Sequence, residues 1–216
     1  MFTRGLYGIL DVGLVGESSE AMLENLLCSG APVVQLRWKG AAAGPMLEAA
    51  RLLQEVCRRY GATSIVNDRA DVAAAAGAGG VHLGQHDLTV WAARAVMPPG
   101  TVIGVSTHDL DQVEAALSVG ADYIGFGPVF PTTTKEVPDP VVGLDLLGEV
   151  VNLVKGRVPV VAIGGITSAN AFDVARAGAD LAAVISDVLL ANDAAGRARH
   201  IHEIMTARGA GQGSVA

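Results

Sequence analysis

The sequence predicts an α/β protein built as a single-domain (β/α)8 TIM barrel over residues 1–208, with a Gly/Ser/Ala tail expected to be disordered over 209–216. Three observations carry that expectation. Short apolar runs alternate eight times with helical segments within 216 residues, near the minimal size of such a barrel. The repeat is even, with no long insertion, linker or composition shift to mark a second domain. Every apolar run except the first stops on residues able to do chemistry. That is expected where the C-terminal ends of parallel strands form one mouth. An open doubly wound sheet is the alternative; the even repeat and the polar strand ends favour the barrel.

The first strand is expected over residues 6–10, ending at Asp11. Ser18-Ser19-Glu20 has the composition of a helix start, and that helix ends near Ser29-Gly30. Strand two covers 32–36, with Gln35, Arg37 and Lys39 at and beyond its end. The next helix sets Ala49, Leu52, Leu53, Val56, Cys57 and Tyr60 on one face at i, i+3, i+4, i+7 spacing, and Gly61 ends it. Ser64-Ile65-Val66 is strand three and stops on Asn67-Asp68. An Ala-rich helix from about Ala70 leads to strand four at 80–83, which stops on Gln85 and Asp87. A helix over 89–96 stops at Pro98-Pro99-Gly100. Strand five, 101–105, ends on Ser106; Asp109 caps a helix through Val119, and Gly120 terminates it. Strand six is expected over 123–130, followed by the polar loop Pro131-Thr132-Thr133-Thr134-Lys135. A helix over 144–155 precedes strand seven, 158–163, which runs into Gly164-Gly165. A helix over 168–177 ends at Gly178. Strand eight, 181–185, ends on Ser186. The last helix covers 194–207, with Ala198, Ile201, Ile204 and Met205 on one face.

Half of the chain is hydrophobic and only 4% is aromatic, the balance that buried parallel strands under helices require. A formal charge of −7 argues against nucleic acid or an anionic membrane as partner. It leaves room for a small anionic ligand held by local positive charge. Cys28 and Cys57 lack CxxC spacing and read as buried free thiols in a reducing compartment. The first apolar run is too short for a signal peptide and is interrupted by Asp11. No stretch approaches the ~18 apolar residues that cross a bilayer. A cytoplasmic location is expected, and a homo-oligomer is compatible with the sequence.

Asp68 and Asp87 end adjacent strands. Neighbouring parallel strands lie about 4.8 Å apart, so both carboxylates project into one crevice. Such a pair suits Mg²⁺, which takes one or two protein carboxylates and completes its shell with water and phosphate oxygens. Either residue alone reads as a helix cap; both at matching places favour the metal. Gln35, Arg37, Lys39, Asn67, Ser106, Thr132, Thr134, Lys135, Gly164-Gly165 and Ile185-Ser186 collect at the same mouth. Carboxylates, cations and hydroxyls together suit a substrate with a large anionic group, and a diphosphate is the natural candidate. Arg offers phosphate oxygens a planar fork and Lys a point charge. Gly164-Gly165 lets backbone N–H groups approach a phosphate closely, where barrels often hold one. His82 reads as a hydrogen-bonded core group, His86 and His108 as strand-end groups, and His200 and His202 as surface. Nothing has the pattern of a nucleophilic triad, a zinc site or a dinucleotide-binding turn.

QLRWK at 35–39, ND at 67–68, HLGQHD at 82–87, GVSTH at 104–108, GADYIGFGPVFPTTTK at 120–135, AIGGI at 162–166 and GAD…VIS at 178–186 together resemble the thiamine-phosphate synthase family. The resemblance implies a transferase that joins hydroxymethylpyrimidine diphosphate to a thiazole phosphate and releases pyrophosphate. It implies Mg²⁺ on Asp68 and Asp87. Gln35, Leu36, Arg37, Trp38, Lys39, Asn67, Ser106 and Lys135 would bind the pyrimidine diphosphate. Thr132, Thr133, Thr134, Gly165, Ile185 and Ser186 would hold the thiazole phosphate. Lys135, Ser106, Arg37 and Lys39 would form the catalytic set. Lys135 would come over the site on a lid-like loop entered at Pro131 and left at Gly143. Trp38, where the family usually has an acidic residue, and residues 136–140 depart from the pattern.

Two other readings compete. A related barrel that tautomerises the thiazole carries, by family expectation, a histidine where this chain has Pro128, and needs no metal-bound diphosphate. A non-catalytic phosphate-sensing barrel would have no use for Asp68, Asp87 and Lys135.

Overall fold

A computed structural model describes residues 2–132 and 139–207. Eight parallel strands close into a barrel in chain order: β1 (Gly5–Asp11), β2 (Val33–Arg37), β3 (Thr63–Asn67), β4 (Gly80–Leu83), β5 (Val102–Thr107), β6 (Tyr123–Phe126), β7 (Val160–Ala162) and β8 (Leu181–Val184). β8 returns to pair with β1 through Gly5–Leu181 and Tyr7–Ala183. The helices are α1 (Val12–Val15), α2 (Ser19–Cys28), α3 (Ala43–Tyr60), α4 (Ala70–Ala76), α5 (Val90–Val96), α6 (Leu110–Ser118), α7 (Gly143–Val154), α8 (Ala171–Ala177), α9 (Ser186–Leu189) and α10 (Ala194–Ala207). α1 and α9 are single-turn pieces the sequence did not announce. The other eight are the expected covering helices. None of the described helices is long and apolar enough to cross a membrane.

Successive residues of a strand face opposite sides, and this divides the apolar residues into two cores. Leu6, Val34, Leu36, Val66, Val81, Ile103, Ile124 and Ala182 face outward and pack under the helices. Tyr7, Val33, Ile65, Tyr123, Val161, Leu181 and Ala183 fill the barrel interior. Gly104 makes that interior possible: a Cβ there would lie 1.9 Å from the Tyr123 ring.

Several expected boundaries move, each for a physical reason. β6 stops at Phe126, not residue 130, because Pro128 has no amide proton to continue a ladder. The chain crosses instead to the end of β7, where Val129 N and Phe130 N donate to the carbonyls of Ile163 and Gly164 at 2.9 and 3.1 Å. α8 begins at Ala171, not residue 168, because the Asn170 side chain accepts from Thr167 N at 2.8 Å and shapes a turn first. The buried stripe of α3 is Met46, Ala50, Leu53, Val56 and Cys57, while Tyr60 stays 44% exposed. Cys28 is exposed, in contact with the Tyr60 hydroxyl, and only Cys57 is a buried thiol. Ser18 makes no capping hydrogen bond, whereas Asp109 does. His202 is half-buried, and its Nδ1 accepts from Leu6 N at 3.4 Å.

Candidate active site at the barrel mouth

The C-terminal end of β2 is charged. β1 and β2 run in register, so Asp11 sits opposite Arg37, and their side chains form a largely buried ion pair. The first strand therefore does end on a chemical group, contrary to the expectation from its sequence. Gln35 lies one inward-facing position deeper, where its Nε2 donates to the Tyr7 hydroxyl at 2.9 Å. Leu36 points outward and is buried among the helices, so only its backbone is available to the mouth. Trp38 packs against that same outer core. Lys39, more than half exposed, reaches across to pair with Asp68.

Asp68 leaves β3 with φ +64°, the left-handed region that Asp and Asn tolerate better than other side chains. Its N–H donates to the His82 carbonyl at 2.8 Å, keeping it on the β4 side. Neither aspartate caps a helix. Arg69 occupies the cap position of α4, and Thr89 caps α5 by accepting from Ala92 N. Asp87 accepts from Gly84 N at 2.7 Å. Its carboxyl is held above the usual range, first by desolvation from the atoms packed around it and then by a hydrogen bond to Asp68 and that group's charge. The Gly84 N–H and Lys39 oppose the shift. Two carboxylates thus crowd one another at the crevice the sequence pointed to, and a cation would relieve that repulsion. Among the described residues no group of three or more His, Cys, Asp or Glu is placed to hold a metal. The pair fits a hard ion that takes its remaining ligands from water and a phosphorylated substrate, and does not fit an all-protein cage.

Below the rim lies a polar chain inside the barrel. Tyr7 and Tyr123 hydroxyls are 2.8 Å apart. Tyr123 meets His82 Nδ1 at 2.9 Å, and His82 Nε2 meets Ser106 Oγ at 2.8 Å. Burial pushes His82 down to about 4 and raises both phenols well above their ordinary range. Gln85 Nε2 donates to the Ser106 carbonyl at 2.6 Å and fixes the strand end. His82 is the hydrogen-bonded core group expected. Tyr7 and Tyr123 were missed, because an aromatic inside an apolar run reads as packing. The signal available was the glycine at 104, opposite in register to Tyr123. Asn67 ends β3 in register with His82.

The far side of the mouth is built from backbone. Gly164 and Gly165 have φ +85° and +64°. A Cβ on Gly165 would meet the Pro131 carbonyl oxygen at 2.5 Å. Asn170 Nδ2 donates to the Gly165 carbonyl at 3.0 Å. Ile185 leaves β8, and Ser186 is the exposed first residue of α9. Asp187 joins this loop to the preceding one: it accepts from Ser168 N at 2.8 Å and from Arg197 at 2.9 Å. Asn170, Asp187 and Arg197 carried no signal in the sequence, since they act on loops rather than at strand ends. Thr132 follows the β6 crossover at the rim. Thr133, Thr134 and Lys135 lie outside the described residues.

Residues 6–188 match the family model described as thiamine monophosphate synthase. Over 202 residues the chain is 45% identical to the thiamine-phosphate synthase of Chloroflexus aurantiacus, covering 93% of this chain and 92% of that one. It is 46% identical to the thiamine-phosphate synthase of Methanocella arvoryzae, covering 93% and 94%. Among solved structures, thiamine phosphate pyrophosphorylase from Pyrococcus furiosus superposes with a TM-score of 0.86 at 38% identity, covering 95% of this chain and 96% of that one.

Proposed function

The chain belongs to the thiamine monophosphate synthase family, and from that premise we propose how its mouth works. It is a transferase with thiamine-phosphate synthase activity. We take the substrates to be hydroxymethylpyrimidine diphosphate and a thiazole monophosphate, joined with loss of pyrophosphate. The observation that carries this reading is the crowded pair Asp68 and Asp87, set beside Lys39 and the Arg37–Asp11 pair.

This part of the rim gathers Asp11, Asp68 and Asp87 against Arg37 and Lys39. Without a further cation it would repel a diphosphate. Asp68 and Asp87 would hold Mg²⁺, which when bound neutralises the departing pyrophosphate. Lys39, which pairs with Asp68 and is more than half exposed, would meet a phosphate oxygen of the diphosphate. Arg37, oriented by Asp11, offers its remaining N–H groups. Ser106, at the end of β5, reaches the same group, and Lys135 joins on the strength of its motif alone. The pyrimidine amino group donates electrons toward the methylene carbon, so a dissociative, carbocation-like step is available and the thiazole nitrogen traps the carbon. No protein nucleophile is needed. Thr132, Thr133, Thr134, Gly165, Ile185 and Ser186 are proposed to hold the thiazole phosphate across the mouth, away from the negative pair. A cytoplasmic location completes the reading, in keeping with two unpaired cysteines.

Incubating the protein with both substrates and Mg²⁺ and measuring pyrophosphate and thiamine phosphate tests it. Product in stoichiometric amounts is expected. Release of neither, from folded protein, would overturn it. The tautomerase alternative finds no support here: its histidine position is the buried Pro128, packed against Gly164.

A further inference from the structure

We propose that the buried chain Gln35–Tyr7–Tyr123–His82–Ser106 has one proton order, which keeps His82 as its Nε2–H tautomer and turns the Ser106 hydroxyl hydrogen toward the mouth. The inference deepens the proposed function, since it rests on Ser106 meeting the diphosphate substrate.

The order follows from counting hydrogens. Gln35 presents its amide nitrogen to Tyr7 and donates at 2.9 Å. A phenol has one hydrogen to give, and the next oxygen along the chain from Tyr7 is that of Tyr123, at 2.8 Å. Were Tyr123 to donate to Tyr7 instead, the Tyr7 hydrogen would be left without an acceptor in this chain, inside a closed core, where an unmade hydrogen bond is expensive. Tyr7 therefore donates to Tyr123. The Tyr123 hydrogen then goes to His82 Nδ1 at 2.9 Å. Nδ1 is an acceptor, so the single proton of the neutral ring sits on Nε2 and is donated to Ser106 Oγ at 2.8 Å. Ser106 already accepts, and its own hydrogen is free to point at a ligand.

The reverse order needs Gln35 to offer its carbonyl oxygen. Every bond would then run the other way, and the Ser106 hydrogen would be consumed by His82 Nε2. Only lone pairs would face the mouth. A diphosphate accepts hydrogen bonds and donates none, so only the first order makes Ser106 useful to it. The surroundings support a fixed, neutral ring: His82 stacks at 5.5 Å on Tyr123 and is 8% exposed. Gln35, Tyr7, Tyr123 and His82 are thus positioning residues for Ser106.

The test is the tautomer of His82 in the free protein, read by long-range ¹H–¹⁵N correlation on histidine-labelled material. The signal is assigned by its loss in His82→Gln or, if that variant does not fold, by its shift in Ser106→Ala. A proton on Nε2 is expected; a proton on Nδ1 overturns the order while leaving the synthase reading intact, because no substrate is present. Gln35→Glu sharpens the test, since an ionised carboxylate at 35 can only accept. Above the pH at which that carboxyl ionises, the proton should move to Nδ1, and kcat should fall about tenfold, the worth of one hydrogen bond to a charged group. Tyr7→Phe leaves Tyr123 its acceptor on His82 and should keep the proton on Nε2. Retention of Nε2–H in ionised Gln35→Glu, or its loss in Tyr7→Phe, would overturn the proposal.

Discussion

The two halves of the mouth are built from different materials. On the side of β1 to β4, recognition rests on side-chain charge: Arg37 pairs with Asp11, Lys39 with Asp68, and Asp68 crowds Asp87, each across neighbouring strand ends. On the side of β7 and β8 it rests on backbone shape: two left-handed glycines, the turn held by Asn170, and the start of α9. The difference teaches where each half keeps its tolerance. A charged side chain at a strand end can be replaced without disturbing the sheet beneath it. A glycine pressed against a neighbouring loop cannot. The charged half should therefore show its variants in turnover, and the backbone half in stability.

The largest expected effect is on the charged half. Asp68→Asn keeps a residue that accepts φ +64° and removes one carboxylate of the pair. Turnover in Mg²⁺ should fall by a hundredfold or more, about 3 kcal/mol of lost transition-state stabilisation, with the melting temperature nearly unchanged. The Asp87 carboxyl should titrate lower than in the wild type, because the hydrogen bond and charge of Asp68 raise it. Carboxyl NMR shifts and steady-state kinetics read both. A large loss of stability with normal turnover would invert the comparison.

Acid should find the floor beneath that same half. Burial holds His82 at about 4, below its ordinary 6.5. The unfolded chain therefore binds a proton between those values and the folded chain does not. Stability from this group is complete above about 6.5 and is lost as pH falls toward about 4, on the order of 3 kcal/mol in all. Chemical denaturation of wild type and His82→Gln at several pH values in that window measures the difference. Parallel pH dependence in the two proteins would show that His82 is not the group responsible.

The backbone half should answer in stability. Gly165→Ala places a methyl 2.5 Å from the Pro131 carbonyl oxygen and 2.8 Å from Phe130, at φ +64°. Strain of this kind costs about 1–3 kcal/mol. The crossover after β6 must shift, so kinetics toward both substrates should deteriorate along with the melting temperature. An unchanged melting temperature with a defect confined to the thiazole phosphate would mean that the glycine serves only the ligand.

The same division decided what could be read from the sequence. Asp68, Asp87 and Ser106 were legible because each stops an apolar run, and a strand end needs no tertiary information to locate. The Asp11–Arg37 pair was not, since it depends on the register of β1 against β2. The outward direction of the Leu36 side chain follows from alternation alone: Gln35 and Arg37 face inward, so the side chain between them faces the helices and only its backbone is left to the mouth. The barrel closed as the eight-fold repeat required. The end of β6 did not follow from its apolar run, because hydrophobicity continues through Val129 and Phe130 after the ladder has stopped at Pro128. Asp187 and Arg197 illustrate the rest. They tie the loops of the backbone half together, and a loop-to-loop contact leaves no periodic trace.

The smallest effect is the most discriminating. Ser186 is exposed, and its own carbonyl, at the start of α9, accepts from Leu190 N at 3.0 Å. Ser186→Ala removes a hydroxyl and leaves every backbone group of the half in place. If backbone geometry holds the thiazole phosphate, one hydrogen bond is lost, about 1 kcal/mol, and the Michaelis constant for that substrate rises about fivefold. The Michaelis constant for the diphosphate and the melting temperature should stay where they were. The contrast with Asp68→Asn is the point of the experiment: two conservative changes at strand ends on opposite sides of one mouth, expected to differ about twentyfold or more in consequence. A Ser186→Ala protein as impaired as Asp68→Asn would show that side chains carry both halves, and the glycines would then be there only to let the loops pass.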